Sequence, residues 1–376
     1  MQLKRIVYVT RLTIPKKGPR SLQIIKNCAA LANQNVKVEL YVKRNNFKNA
    51  EGFFNYYGLR IPETLKIKTI PIILRSSRMG MALFIAAKSL FKKVGTVICL
   101  RDYKLAKVII SLGWLHRAPV FFESYESLSG YDGKPKAIPM HKMSIINYVH
   151  RKSNGLVFLC DETKSHVYNN AIRTPGIFAW HGTESDDNFD YRFSSREGIY
   201  YAGNLSQRKY KIEVLLEAMK YVETEKLVVI GGYREGDIAR LKACAKDYDI
   251  LDRVEFKGYV PPGEVKNYLK SARIVVSILF GLKLSTYLSC GVPIIVPDMA
   301  LVKEVFRDGE NCIMFQLNDA RSLAEAINRI LNNPAFAEKL AKNAFLEAKK
   351  YSWPNRAQKI IDFISNNLAQ GQIKNV

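Results

Sequence analysis

The chain has 376 residues, too many for one ordinary hydrophobic core and suited to two domains of ~150 to 200 residues each. At 48% hydrophobic and 24% charged residues it has the composition of a soluble globular protein, and no stretch reaches the ~18 apolar residues of a membrane span. Against 34 acidic residues stand 58 lysines and arginines, a net charge of +24, so the expected partner is anionic: a nucleotide, an acidic membrane surface or a nucleic acid. The chain has no RNP signature, zinc finger or recognition-helix pattern, and nucleic acid is therefore not expected. The N-terminal apolar run, Ile6 to Val9, is too short for a signal peptide. Six scattered cysteines, mostly in apolar runs and without a Cys-x-x-Cys pair, read as buried free thiols of a reducing cytoplasm.

In chain order, Arg5 to Thr10 reads as a buried strand, Leu12 to Arg20 as a basic glycine-containing loop, and Ser21 to Asn33 as a helix. Val36 to Val42 completes a βαβ unit. Gly18 with the N–H groups after it can hold a phosphate, with Arg20 adding charge; a plain solvated turn is the competing reading. Arg75 to Lys93 reads as a basic amphipathic helix, either an ordinary packed helix with a solvated face or a segment that adsorbs to an anionic bilayer. Val97 to Leu100 and Val120 to Phe122 read as later strands. The second runs into Glu123, Ser124, Tyr125 and Glu126, at the carboxyl end of a strand, where open α/β sheets bind ligands. Glu126 can orient an acceptor hydroxyl or be a surface carboxylate. Asn154 to Cys160 reads as the last strand of the first domain, with Asp161 capping the helix after it. His181 has no partner at metal-ligand spacing, and the polar stretch Thr183 to Glu197 marks the domain boundary.

Gly198 to Gly203 opens the second domain as a strand, and Asn204 to Lys211 brings cations to the start of a helix over Ile212 to Tyr221. Leu227 to Ile230 with Gly231 and Gly232, and Val254 to Val260 with Gly258, continue the sheet; Glu264 to Ala272 reads as a helix. Ile274 to Phe280 is an apolar run of the kind found in strands covered on both faces. Lys283 to Cys290 is a short helix ended by Gly291, and Ile294 to Val296 is a strand. Lysine and hydroxyls at that helix start, where backbone N–H groups are free, are chemistry for holding phosphate. Val302 to Phe306 and Cys312 to Phe315 are expected to close the sheet; helices then follow over Ser322 to Leu331, on through Lys350, and after Trp353.

The pattern Lys283, Ser285, Tyr287, Leu288, Gly291 and Pro293 resembles the donor-site helix of GT-B glycosyltransferases of the broad group containing glycosyltransferase family 4, in a divergent branch that includes galactofuranosyltransferase-like proteins. The match is closest from Gly198 to Trp353. Where that group carries two glutamates with seven residues between them, this chain has Ile278 and Thr286; where it carries a histidine, Tyr125; where it carries an Asn-Gly before the linker, His181 and Gly182. The resemblance implies two Rossmann-like doubly wound domains facing a cleft. Residues 1–185 form the acceptor domain, residues 186–354 the nucleotide-sugar domain, and 355–376 a helix packing back toward the first. It implies donor contacts from Gly18, Arg20, Gly203, Asn204, Arg208, Lys209, Lys211, Gly258, Lys283, Leu284, Ser285 and Thr286, with Glu126 and Tyr125 as the catalytic candidates. The implied reaction moves a sugar, with retention, from a nucleotide-sugar co-substrate to a hydroxyl of a glycan or lipid-linked acceptor. It uses no metal and takes place in the cytoplasm or at the inner face of the membrane. A protein that keeps the fold and binds sugar nucleotide or glycan without turnover is the alternative.

Overall fold

The computed structural model describes residues 2–16, 18–90, 95–124, 138–169, 171–184, 188–206, 211–232 and 236–370. The first domain runs β1 (Arg5–Val9), β2 (Thr13–Ile14), α1 (Pro19–Asn33), β3 (Lys37–Val42), β4 (Arg44–Asn45), α2 (Ala50–Tyr57), β5 (Leu65–Thr69), α3 (Arg78–Leu90) and β6 (Thr96–Leu100). It continues through α4 (Tyr103–Ser111), α5 (Gly113–His116), β7 (Val120–Ser124), α6 (Met140–Lys152), β8 (Gly155–Phe158), α7 (Asp161–Asn169) and β9 (Gly176–Phe178). The second domain runs β10 (Glu197–Gly203), α8 (Glu213–Ala218), β11 (Leu227–Gly231), α9 (Asp237–Asp247), β12 (Val254–Gly258), α10 (Pro262–Lys270) and β13 (Ala272–Val276). Then come α11 (Lys283–Ser289), β14 (Ile294–Pro297), α12 (Ala300–Lys303), β15 (Ile313–Phe315), α13 (Ala320–Leu331), α14 (Pro334–Lys350) and α15 (Trp353–Ala369).

Both sheets are parallel, as the unbroken apolar strands require. The first has the order β5-β3-β1-β6-β7-β8-β9 and the second β12-β11-β10-β13-β14-β15. Each is wound outward in two directions from its first strand, so each has a switch point: between β1 and β6 in one, between β10 and β13 in the other. The two doubly wound domains expected from the sequence are present. Helix α15 starts at the Ser352 cap, whose hydroxyl accepts from Asn355 N, and buries Ala357, Ile360, Phe363 and Ile364 in the first domain's core beside α1. Phe363 meets Phe121 edge-on at 5.9 Å.

Several sequence expectations are corrected. Val302 to Phe306 is not a strand: α12 and a turn occupy it, Val305 and Phe306 both closing back on Val302 O, and β15 alone follows. Asn154 to Cys160 is not the last strand of its sheet, since β9 adds an edge beyond β8. Ala272 opens β13 rather than ending a helix, and β13 stops at Val276, the rest of the apolar run to Phe280 being a buried loop. Arg20 lies inside α1, not in the loop before it, and Asp161 is the first residue of α7 rather than its cap. Basic helix α3 begins at Arg78 rather than Arg75.

The domains touch on one side through α2 and α10, where a Cβ on Gly263 would stand 2.6 Å from Gly58 N and one on Gly58 would stand 2.7 Å from Gly263 Cα. Beside this approach Tyr56 OH and Tyr259 OH are 2.8 Å apart. On the other side the two chain crossings run together. Thr183 N donates to Tyr351 O (2.9 Å), Trp353 N donates to Thr183 O (3.1 Å), and Gly182 lies so flat on the Trp353 indole that any side chain there would collide with it. Gly263→Ala is expected to push the domains apart at a cost of about 1–3 kcal/mol. Small-angle scattering should show a larger radius of gyration with both cores intact by circular dichroism; an unchanged radius would contradict the contact.

Candidate functional site

Parallel strands run out of partners where a sheet splits. Strands β10 and β13 stay paired to Tyr200 and Val275 and then diverge, leaving the backbone of Ala202 without a strand neighbour on that side. Tyr287 of α11 fills the gap. Its hydroxyl accepts from Ala202 N at 2.7 Å and donates to Ala202 O at 2.9 Å, so one buried side chain satisfies both groups and props the crevice open. On the other side Gly203 and Gly231 lie opposite in register, and a Cβ on Gly231, at φ 146°, would fall on Gly203 O. Only glycine lets the strand ends meet there.

The crevice is a cleft of about 180 Å³ between the domains. Gly18, Pro19 and Leu22 form the first-domain wall; Gly203, Asn204, Tyr259, Lys283, Thr286 and Tyr287 are among the residues of the opposite one. Of the residues singled out from sequence, the structure thus brings together Gly18, Gly203, Asn204, Lys283 and Thr286. Gly18 precedes α1, whose start has no side-chain cap. Leu284 and Ser285 face away: Leu284 is fully buried, and the buried Ser285 hydroxyl donates to Leu282 O at 2.8 Å. The amides of Leu284 and Ser285 also close onto Gly281 O and Leu282 O (3.0 and 3.1 Å), so they are already engaged at the helix start. Gly258 ends β12 outside the cleft lining, and exposed Lys211 stands before α8. Arg20 turns toward Asp102, at 3.9 Å. Arg208, Lys209, Tyr125 and Glu126 lie outside the described residues.

The described lining carries one cation and no carboxylate. Lys283 runs past Gly203 with its amine 4.4 Å over the Tyr201 ring centre and 3.4 Å from the Tyr201 hydroxyl. Although the side chain is half-buried rather than sealed, burial of the amine pulls its pKa down to about 7. A bound anion would reverse that shift.

At the carboxyl ends of β6 and β7 lies a buried charge cluster that sequence reasoning did not assemble. Glu123, at the carboxyl end of β7, is buried and accepts from Tyr8 OH (2.9 Å) and from the Arg356 guanidinium, with Arg101 Nε at 3.4 Å. Burial alone would raise its pKa, but Arg101 and Arg356 outweigh this and hold the carboxyl below its usual value. Arg356 also donates to Asn27 Oδ1 and, through Nε at 2.8 Å, to Trp180 O. His181 is lowered to about 3 by burial and then by Arg101 and Arg356, which keeps it neutral. Arg101 directly follows a buried strand at the switch point, and that placement was the available signal.

Residues 185–347 match the model of the family described as Glycosyl transferases group 1. A D-inositol 3-phosphate glycosyltransferase of Acidothermus cellulolyticus is 28% identical over 154 residues, 39% of this chain and 34% of that protein. A phosphatidyl-myo-inositol mannosyltransferase of Mycobacterium leprae is 23% identical over 172 residues, 43% of this chain and 45% of that one. The chain therefore matches under half the length of these curated relatives. Among solved structures, a sucrose-phosphate synthase from Thermosynechococcus elongatus superposes with a TM-score of 0.76 at 16% identity, covering 98% of this chain and 100% of the other. Anabaena HepE in complex with UDP superposes at 0.74 with 14% identity, covering 97% and 100%. These likenesses give the fold, which is GT-B.

Two substitutions on one helix should move stability in opposite directions. Tyr287→Phe strips Ala202 of both bonds and is expected to destabilise by about 1–3 kcal/mol. Lys283→Met removes an amine that is charged in the unfolded chain and partly neutral when folded, and should raise the melting temperature. Thermal denaturation near pH 7 checks both signs.

Proposed function

We propose, from the premise that residues 185–347 belong to the glycosyl transferases group 1 family within a GT-B fold, that this chain is a glycosyltransferase. It moves a sugar from a nucleotide-sugar donor to a hydroxyl of a glycan or lipid-linked acceptor, in cell-surface polysaccharide synthesis. The observation that carries the reading is Lys283, the single described cation in an otherwise neutral cleft at the switch point of the second sheet. Solved HepE structures hold UDP and UDP-glucose, which favours a uridine diphosphate sugar as the first donor to try.

The bond broken joins the sugar's anomeric carbon to the diphosphate, so negative charge builds on the leaving phosphate oxygens. In a water-poor cleft a fixed cation opposite those oxygens stabilises the transition state more than it would in water. Lys283 supplies it from α11, and the cations that follow Gly203 in the sequence, Arg208, Lys209 and Lys211, are the candidates to add to it. In this reading side chains rather than a divalent metal neutralise the diphosphate. Thr286, which lines the cleft, offers a neutral hydroxyl to the donor ribose. Retention of configuration is the stereochemistry that the resemblance implies. Among the described residues no helix is long and apolar enough to cross a membrane, and the reading places the enzyme on the cytoplasmic face.

Release of nucleoside diphosphate from UDP-, GDP-, ADP- and CMP-linked sugars tests the activity. Lys283→Ala should lower kcat/KM by about 10²–10³-fold, the usual loss of one transition-state donor. Tight donor binding with no turnover on any acceptor would instead identify a binding protein. The pH dependence has a definite sign. Free Lys283 has a pKa of about 7, and a bound diphosphate raises it, so the affinity gained from its charge is complete below about pH 7 and declines above it. Calorimetry in buffers of different ionisation enthalpy should find almost no proton uptake near pH ~6 and up to one proton near pH ~8.5. Equal uptake at both would contradict the role of Lys283.

A further inference from the structure

We propose that the outward side of α3, with the turn before it and α5 beside it, is a docking surface for an anionic lipid bilayer. Helix α3 is apolar on both sides. Inward, Met81, Ala82, Ile85 and Ala86 are buried in the first domain's core. Outward, Met79 and Leu83, one turn apart, are 52% and 43% exposed, and exposed Ala87 continues the row. A helix that merely packs would carry its polar residues on that side.

The row is extended at both ends. Before α3, Ile72 and Ile73 are 69% and 84% exposed. They are not loose. Leu74 N and Arg75 N both donate to Pro71 O at 3.0 Å, Ser76 Oγ donates to Ile73 O at 3.3 Å, and Leu74 packs inward on the core, so a hydrogen-bonded turn holds the two isoleucines outward. Beside the helix, α5 packs on α3 and presents Trp114, 66% exposed. Of the twelve large hydrophobic residues exposed among the described ones, five belong to this face. An apolar patch of this kind on a soluble chain marks a contact surface.

Charge identifies the occupant. Residues 70–117 contain nine lysines and arginines, of which Arg101 is buried against Glu123, and one acid, Asp102; the other eight give a net of +7 out of the chain's +24. Asp102 is engaged in capping α4, accepting from Leu105 N at 2.8 Å. Long basic side chains flanking an apolar row let the row enter the acyl boundary while the charges stay at the level of anionic headgroups. An exposed apolar row continued by a turn that holds two isoleucines outward suits a fluid surface. Arg75 Nη1 reaches Lys43 O at 3.4 Å, so the turn stands by the carboxyl end of β3, the end of the sheet at which Gly18 and Pro19 enter the cleft. Docking would therefore bring the first-domain side of the cleft toward the headgroups, where a lipid-linked acceptor presents its hydroxyl. This last step rests on the proposed activity; the docking does not.

The full chain, incubated with vesicles of phosphatidylcholine alone or mixed with phosphatidylglycerol, tests the surface by co-sedimentation. Binding to the anionic vesicles is expected to be at least about tenfold tighter and to weaken with salt. Trp180 is buried and Trp353 half-buried, so Trp114 should report insertion as a blue shift that Trp114→Phe removes. The double variant Ile72→Ser with Ile73→Ser should lose at least about tenfold in binding while keeping the wild-type melting temperature. Equal binding to both vesicle types, undiminished binding of the double variant, or capture by DNA or an acidic polypeptide in preference to vesicles at equal salt would each overturn the proposal. Because none of these readouts involves turnover, they fail or succeed separately from the glycosyltransferase reading.

Discussion

One buried carboxylate governs how the two halves are joined. Glu123 lies in the first sheet beside Arg101 of its own domain, yet the guanidinium that hydrogen-bonds it comes from Arg356, which the chain reaches only after completing the second domain. The same guanidinium binds Asn27 of α1 and the carbonyl of Trp180 in the outgoing crossing. Both crossings and the closing helix therefore converge on one dehydrated charge. Loss of one partner in such a cluster leaves the other charge buried and uncompensated, typically worth about 3–5 kcal/mol. That asymmetry explains why a terminal helix stays fixed although its sequence neighbours belong to the other domain. The cluster itself sets two arginines against one glutamate, with His181 held neutral beside them.

The opposite wall uses burial differently. Where Glu123 is charged because arginines outweigh desolvation, Lys283 has desolvation as the cause of its shift, and the described cleft lining has no carboxylate to oppose it. The cation is thus held ready and partly discharged. An anion entering the cleft finds a group whose charge it restores, so affinity and protonation are linked in one residue. A carboxylate at 286 would pair with the amine and dull that response; Thr286 leaves it intact.

Much of this was legible in the sequence, and the failures are physically specific. The β-branched runs, Gly203, Gly231, Lys283 and Gly291 mark the second sheet and its switch point, because parallel strands need continuous apolar residues and tight ends need glycine. The pairing of Glu123 with Arg356 joins residues 233 apart, and no local pattern can announce it. Val302 to Phe306 has strand composition, but α12 uses those side chains to fill the second core. Edge strand β9 has three half-buried residues and so lacked the apolar run that betrays central strands. Leu284 and Ser285 lie on the buried side of α11. At about 100° per residue, a helix that turns Lys283 and Thr286 toward a crevice must turn the two between them away.

Among the described residues the cleft encloses little space. Pockets that enclose a ligand of drug size or above occupy about 300–1,000 Å³, whereas this one offers about 180 Å³. Its walls belong to different domains, which among the described residues meet through the Tyr56–Tyr259 hydroxyl pair, the backbone approach of Gly58 to Gly263, and Glu184, which pairs with Lys26 of α1 and stands 4.0 Å from Lys266 of α10. With these stand the paired crossings, Gly182 against Trp353, and the Arg356 cluster.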